Sequence, residues 1–226
     1  MTMVTITDGV YSNTAFKIVF TQGDSSGSPI TSYLIEIQGK DLTYHETKLY
    51  CDGSSQTVIS QLSCEVEMAI LLAEPYSLEQ GNLIVAHVRA SNSFGNGAFS
   101  DPNASGLTVQ KVPSVPVNAP VLISQAETSI TVQMPEIVGQ DTGGSDILSY
   151  NLQYNAGGAS TTYVNLIGEN PSSMILTFTK GGLTPDVIYN FRYRVKNKYG
   201  WNEGGFSPIL QARAAGLPSK ITKLTF

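Results

Sequence analysis

Val195-Lys196-Asn197-Lys198-Tyr199-Gly200, followed by Phe206-Ser207, decides how this chain is organised, because Ala90-Ser91-Asn92-Ser93-Phe94-Gly95 followed by Phe99-Ser100 has the same form. A second pair of segments agrees with the first. Gly23-Asp24-Ser25-Ser26-Gly27-Ser28-Pro29-Ile30-Thr31-Ser32-Tyr33 matches Gln140-Asp141-Thr142-Gly143-Gly144-Ser145-Asp146-Ile147-Leu148-Ser149-Tyr150. Each is a Gly/Ser/Asp turn that feeds a strand with Ile at its start and Tyr three residues later. Self-similarity at this spacing predicts two related domains in tandem. The boundary falls in Val112-Pro113-Ser114-Val115-Pro116-Val117-Asn118-Ala119-Pro120, where closely spaced prolines remove ladder donors and favour an extended connector. The expected divisions are 1–112, 113–216 and a tail at 217–226.

Alternation of apolar and polar residues with period two dominates both halves. In the second half it predicts strands near Val121–Ser124, Ser129–Met134, Leu148–Tyr154, Thr161–Leu166, Met174–Phe178, Ile188–Asn197 and Phe206–Ala212. In the first half the strands run near Ala15–Phe20, Tyr33–Gln38, Thr43–Tyr50, Thr57–Ser60, Glu65–Met68 and Leu83–Ala90, with a helical turn only at Ala69–Leu72. Short strands at regular spacing, separated by turn residues, make the fold class all-β, with two tandem β-sandwiches.

At 226 residues each half is long enough to bury its own core. The chain is 41% hydrophobic with mean hydropathy −0.01, and only 14% of its residues are charged, against roughly 25% in soluble domains generally. A net charge of −5 provides no basic footprint for nucleic acid. No apolar run is long enough to span a bilayer.

Leu183-Thr184-Pro185 with Tyr189, Phe191, Arg192, Val195, Asn197 and Gly200 resembles the L-x-P…Y-x-F-x-V-x-x-N-x-x-G run of fibronectin type III domains. Gly143-Gly144-Ser145-Asp146-Ile147 with Tyr150 is similar to that family's strand entry. The resemblance implies an immunoglobulin-like sandwich and a tyrosine corner in which the Tyr189 phenol bonds to backbone near Leu183 or Thr184. Met134 and Phe20 stand where the family usually places a core Trp. Ile84 occupies the corner position of the first half, and Gly81 replaces the turn around Pro185. The run from Cys64 to Ala86 resembles a variant found in large surface proteins of ciliated protists. The resemblance specifies fold more than function, since such sandwiches serve adhesion, signalling and structural roles.

Catalytic motifs are missing from the sequence: no G-x-S-x-G, H-E-x-x-H, phosphate loop or Ser/His/Asp set is present, so the chain reads as non-enzymatic and without a cofactor. His45 and His87 read as structural. Asp24, Asp141 and Asp146 lie in Gly-rich turns with too few acids for a calcium loop. Cys51 and Cys64 are the only cysteines, and they fit no zinc spacing. A disulfide between them is expected, which favours an extracellular setting. Asn103-Ala104-Ser105 is the one N-x-S/T acceptor, expected in a solvent-facing loop with an N-linked glycan if the chain is secreted. Tyr11, Tyr44, Tyr163 and Trp201 are candidate exposed aromatics for a partner surface.

Pro218 to Phe226 combines apolar Ile221, Leu224 and Phe226 with polar Lys220, Thr222 and Thr225, and reads as a strand with nothing after it to pair with. The first half begins abruptly and reads as short of a strand. Together these features point to a secreted structural subunit that joins head to tail, its strand of Lys220, Ile221, Thr222, Leu224 and Phe226 completing the first domain of the next copy. Two other readings are an excerpt of one long repeat chain, and an adhesin or receptor ectodomain that binds carbohydrate or protein.

Overall fold

The computed structural model describes residues 3–158 and 160–217 and divides the chain into two compact units, with the division between Lys111 and Val112. The tail expected at 217–226 lies, beyond Leu217, outside the described residues.

The first unit contains β1 (Val4–Asp8), β2 (Ala15–Phe20), β3 (Ser32–Gln38), β4 (Tyr44–Glu46), α1 (Gln56–Gln61), β5 (Ser63–Glu67), β6 (Ala86–Asn92) and β7 (Gly95–Asn96). They form two antiparallel sheets, ordered β1-β2-β5 and β4-β3-β6-β7. Alternation along each strand sends one face inward. Val4, Ile6, Phe16, Ile18, Phe20 and Val66 from one sheet are buried, as are Tyr33, Ile35, Ile37, Ala86 and Val88 from the other. Phe20 and Tyr33 have ring centroids 4.7 Å apart, so the position read as a missing core Trp is filled by an aromatic pair.

The second unit contains β8 (Val121–Ala126), β9 (Ser129–Gln133), β10 (Ile147–Asn155), β11 (Tyr163–Ile167), β12 (Thr177–Gly181), β13 (Ile188–Asn197), β14 (Gly200–Trp201) and β15 (Leu210–Arg213). One sheet is ordered β12-β9-β8; in the other, ordered β11-β10-β13-β14, β15 also pairs with β13. Its core gathers Ile130, Val132, Met134, Tyr150, Leu152, Phe191, Tyr193 and Val195. Each unit is therefore a β-sandwich of two antiparallel sheets. The proline-rich segment is not a bare connector, since the Ser114 N–H donates to the Asp141 carbonyl at 2.9 Å within the second unit.

Equivalent residues do equivalent work in the two units. The Asn92 side chain accepts the Phe94 N–H and donates to the Ser25 carbonyl. Asn197 likewise accepts the Tyr199 N–H and donates to the Thr142 carbonyl. Ser100 Oγ accepts the Val88 N–H, and Ser207 Oγ accepts the Tyr193 N–H. The corner shows how one job is done by different chemistry. Tyr189 Oη accepts the Thr184 N–H at 2.9 Å. In the first unit the corresponding N–H, on Glu79, is accepted at 2.8 Å by Asn82 Oδ1, which leaves Ile84 free to be fully buried. Gly81 and Asp186 both turn the chain there with positive φ, 87° and 64°.

Three expectations are corrected. The first unit is not short of a strand, because Val4–Asp8 pairs with β2 and buries Val4 and Ile6. Thr57–Ser60 is helical, within α1: Ser55 Oγ accepts the Val58 N–H, and the helix ends where Leu62 turns left-handed at φ 54°. The strand expected over Thr43–Tyr50 is only Tyr44–Glu46, since Thr47 turns inward and its hydroxyl donates to the Ile35 carbonyl at 3.0 Å.

Tyr150 and Tyr193 stack with centroids 6.5 Å apart inside the second core. Burial raises the Tyr150 phenol and pushes that of Tyr193 up to about 12. The folded phenol thus holds its proton above the ordinary value of 10.0. Its contribution to stability is complete below pH 10 and is lost as pH rises through about 12. Urea midpoints measured across that window should fall steeply, and Tyr193→Phe should remove part of the slope.

Candidate functional site

Two surface features combine designed-looking geometry with access to solvent, and one of them is repeated. On the outer face of the β4-β3-β6 sheet, alternation places His87 and Arg89 outward while Ala86 and Val88 point into the core. The His87 ring is sandwiched between Tyr44, with centroids 3.7 Å apart, and Phe99, at 4.0 Å. Arg89 lies over the far side of the sandwich, 4.8 Å from the Phe99 centroid. His87 Nε2 is 2.7 Å from Glu36 Oε2 on the neighbouring strand.

The second unit builds the same ladder in the same register with permanent cations. The Arg192 guanidinium lies 3.7 Å from the Tyr163 centroid and 4.0 Å from that of Phe206. Its Nε and Nη2 donate to Gln153 Oε1, the counterpart of Glu36. Arg194 stacks between Phe206 at 5.1 Å and Trp201 at 4.5 Å, and Lys196 Nζ is 5.7 Å from the Trp201 centroid. The Arg194 guanidinium is tethered by Asn151 and Glu169. Each desolvated cation–ring contact contributes up to about 2 kcal/mol. The ladders also hold Phe99 and Phe206 against the central strand in segments that make few regular ladder bonds.

Tyr44, Tyr163 and Trp201 thus fall in the two ladders, whereas Tyr11 stands apart. The Tyr11 ring is exposed, and its N–H donates to the Glu65 carboxylate. Sequence reading overlooked His87, Arg89 and Phe99 in the first unit, and Arg192, Arg194 and Phe206 in the second, as members of stacked ladders. The available signal was the run of cations at alternate positions in Arg192-Tyr193-Arg194-Val195-Lys196, set against the repeated Phe-Ser pair.

The second feature is a wedge in the first unit. Among the described residues β1 is an edge strand, bonded to β2 alone in its sheet. Its start diverges from the segment after Ser100, leaving an open groove of about 470 Å³ lined by Met3, Val4, Thr5 and residues 101–105. The wedge closes at Gly106, where a Cβ would come within 3.1 Å of the Ile6 carbonyl oxygen.

Asn103 sits beside this groove, not in a solvent-facing loop as expected. Its residue is buried, with Oδ1 accepting the Ala86 N–H at 2.7 Å and Nδ2 donating to the Ile84 and Ser105 carbonyls at 2.8 and 3.1 Å. Both amide hydrogens are engaged, so a glycan bond at Nδ2 would displace contacts that tie this segment to β6. Cys51 and Cys64 form a disulfide, with Cα atoms 5.8 Å apart. Among the described residues no group of three or more His, Cys, Asp or Glu side chains is placed to hold a metal ion. Among the same residues no helix is long and apolar enough to cross a membrane. Lys220, Ile221, Thr222, Leu224 and Phe226 lie outside the described residues.

No family model and no curated protein matches the chain. Among solved structures it is similar to a crystal structure of titin domains, at 17% identity and TM-score 0.48, covering 89% of this chain and 59% of that one. It is also similar to the FN1–FN3 domains of chicken CNTN1, at 16% identity and TM-score 0.42, covering 95% of this chain and 65% of that one. The chain thus spans less than two thirds of either structure.

Proposed function

We propose that the chain is a non-enzymatic structural building block of an extracellular fibre or surface layer, whose copies join head to tail at the edge of the first sandwich. The observation that carries this reading is the wedge beside β1. An edge strand presents unpaired backbone groups, and a groove beside it can seat alternate side chains of an added strand. Because β1 fills the first-strand position, the incoming strand adds outside β1 and does not replace a missing one. The segment Lys220–Phe226, with Ile221, Leu224 and Phe226 among Thr and Lys, has suitable composition for that role. A contact between two different surfaces of identical copies does not close on itself and generates a filament. The disulfide fits an oxidising, extracellular setting.

Deleting Leu217–Phe226 is expected to leave two folded sandwiches that no longer assemble, as read by sedimentation and electron microscopy. Leu224→Asp should act almost as strongly, because a carboxylate without a partner is costly in an apolar groove. Ala104→Trp, which fills the groove from the other wall, should block assembly while the tail is intact. Filaments formed by the truncated chain would reject the reading.

A further inference from the structure

Arg89 and Arg194 hold the same place in the two units, each opposite the residue that follows a core tyrosine. Arg89 pairs with Leu34 across β6 and β3, and Arg194 with Asn151 across β13 and β10. Their surroundings differ. The Arg194 guanidinium donates to the Asn151 amide oxygen and the Glu169 carboxylate and lies 4.5 Å from the Trp201 centroid. The first unit has Leu34, Ser54 and Asn96 at these three places, as fixed by the strand registers and by the matched glycines Gly53 and Gly168. None of them tethers the cation. Among the described residues the Arg89 side chain has no hydrogen bond or ion pair, and its Nε is buried. Its one close contact of this kind is the stack on Phe99. A buried donor without an acceptor is rare in native structures.

The same three replacements border a pocket. It lies on the outer face of β3 and β6, holds about 340 Å³, and is lined by Arg89 together with Leu34, Ser54 and Asn96. Its charged walls are Arg89 and Lys48 on one side of the balance and Glu46 and Asp52 on the other, so no polyanion is favoured. Arg194 shows what a guanidinium takes at this place: a carboxylate, with a second oxygen beside it. The other walls suit hydroxyl groups. Ser91 Oγ donates to Asn96 Oδ1 at 2.6 Å, which leaves the Asn96 amide N–H groups to donate, while Glu46 and Asp52 supply acceptors. An added peptide strand does not fit, because the Tyr33 N–H on this edge of β3 already donates to the Gly53 carbonyl at 2.9 Å.

We propose that this pocket of the first unit binds a sugar bearing a single carboxylate. The carboxylate oxygens take the part that Asn151 and Glu169 play for Arg194. A guanidinium without a tether turns readily to meet them, and the ligand gives Nε the acceptor that Leu34 cannot. The site is on the β4-β3-β6 sheet, not at the wedge beside β1, so it stands apart from the head-to-tail reading.

The test is NMR titration of the isotope-labelled full chain near neutral pH and about 0.15 M salt, where long-range attraction is largely screened. Methyl glucuronide, methyl glucoside and glutarate are the probes. Saturable shifts are expected with methyl glucuronide at the Arg89 Nε–H and at the backbone amides of Ser54, Ser91 and Asn96, and the other two probes should bind about tenfold more weakly or less. Leu34→Asn with Ser54→Glu, which restores the tethers of the second unit, should weaken glucuronide binding about tenfold or more. Asn96→Trp, which fills the pocket from the surface and leaves Arg89 intact, should do the same. Lys17→Gln, in the other sheet, should leave binding unchanged. The proposal is overturned if methyl glucuronide gives no saturable shifts at these residues, or if the Asn96→Trp chain binds it as tightly as the native one. Equal affinity for methyl glucoside would reject the carboxylate, and equal affinity for glutarate would reject the sugar; either result overturns the proposal.

Discussion

Replacing Cys51 and Cys64 together by Ala is expected to lower the stability of the first unit by about 2–5 kcal/mol. The bridge closes a loop across a sequence separation of 13 residues, for which loop-closure entropy alone accounts for roughly 3 kcal/mol. Its position sharpens the expectation. Cys51 lies in the connection that leaves β4, whereas Cys64 is in β5 of the opposite sheet. Between them lies α1, six residues long with Val58 as its only buried residue. Such a helix is far too short to persist alone and depends on its closed loop. Cys51 is itself buried, so reduction also loosens packing beneath β4. Urea denaturation should show the loss, and hydrogen exchange should place it in residues 47–67. An unchanged urea midpoint would show that the loop is held by its backbone contacts and that the bridge is incidental.

The repeat was legible because its matched residues have local backbone duties. Asn92 and Asn197 each accept an N–H two residues ahead, a job that ties residue type to position regardless of what packs nearby. The tyrosine corner was readable in the second unit for the same reason. Its replacement in the first was hidden, because an Asn three residues from the N–H it caps carries no distinctive pattern. Val4–Asp8 was missed as a strand because only Val4 and Ile6 point inward, and two apolar residues make a weak alternation. Thr57-Val58-Ile59 misled in the opposite direction. Its β-branched residues favour a strand, yet the Ser55 cap and the closed disulfide loop hold one helical turn. The ladders were the least legible feature. Their rings come from β4, β11, β14 and two irregular segments, and no spacing in the sequence reports that Phe206 lies beside Arg192.

Gly168→Ala is expected to destabilise the second unit by about 3–4 kcal/mol, combining overpacking with a left-handed backbone. Gly168 has φ +82°, and a Cβ there would sit 1.8 Å from the Tyr150 carbonyl oxygen and 2.6 Å from its carbon. Those atoms belong to β10, which is bonded to β11 and β13 and cannot retreat without breaking a ladder. The Ser149 hydroxyl also donates to the Gly168 carbonyl at 2.7 Å, which holds the glycine against the strand. Gly53 shows that the close approach belongs to the fold and not to one loop. A Cβ there would meet the carbonyl oxygen of Tyr33, the counterpart of Tyr150, at 1.9 Å. Gly182→Ala separates the two contributions, since Gly182 has φ +68° but nothing within 4 Å of its Cβ position. That variant should cost only about 1 kcal/mol from backbone strain. Urea denaturation followed by Trp201 fluorescence reports the second unit directly, because the chain has 1 Trp. If Gly168→Ala lowers stability no more than Gly182→Ala does, the contact with Tyr150 is not tight, and the glycine serves its turn alone.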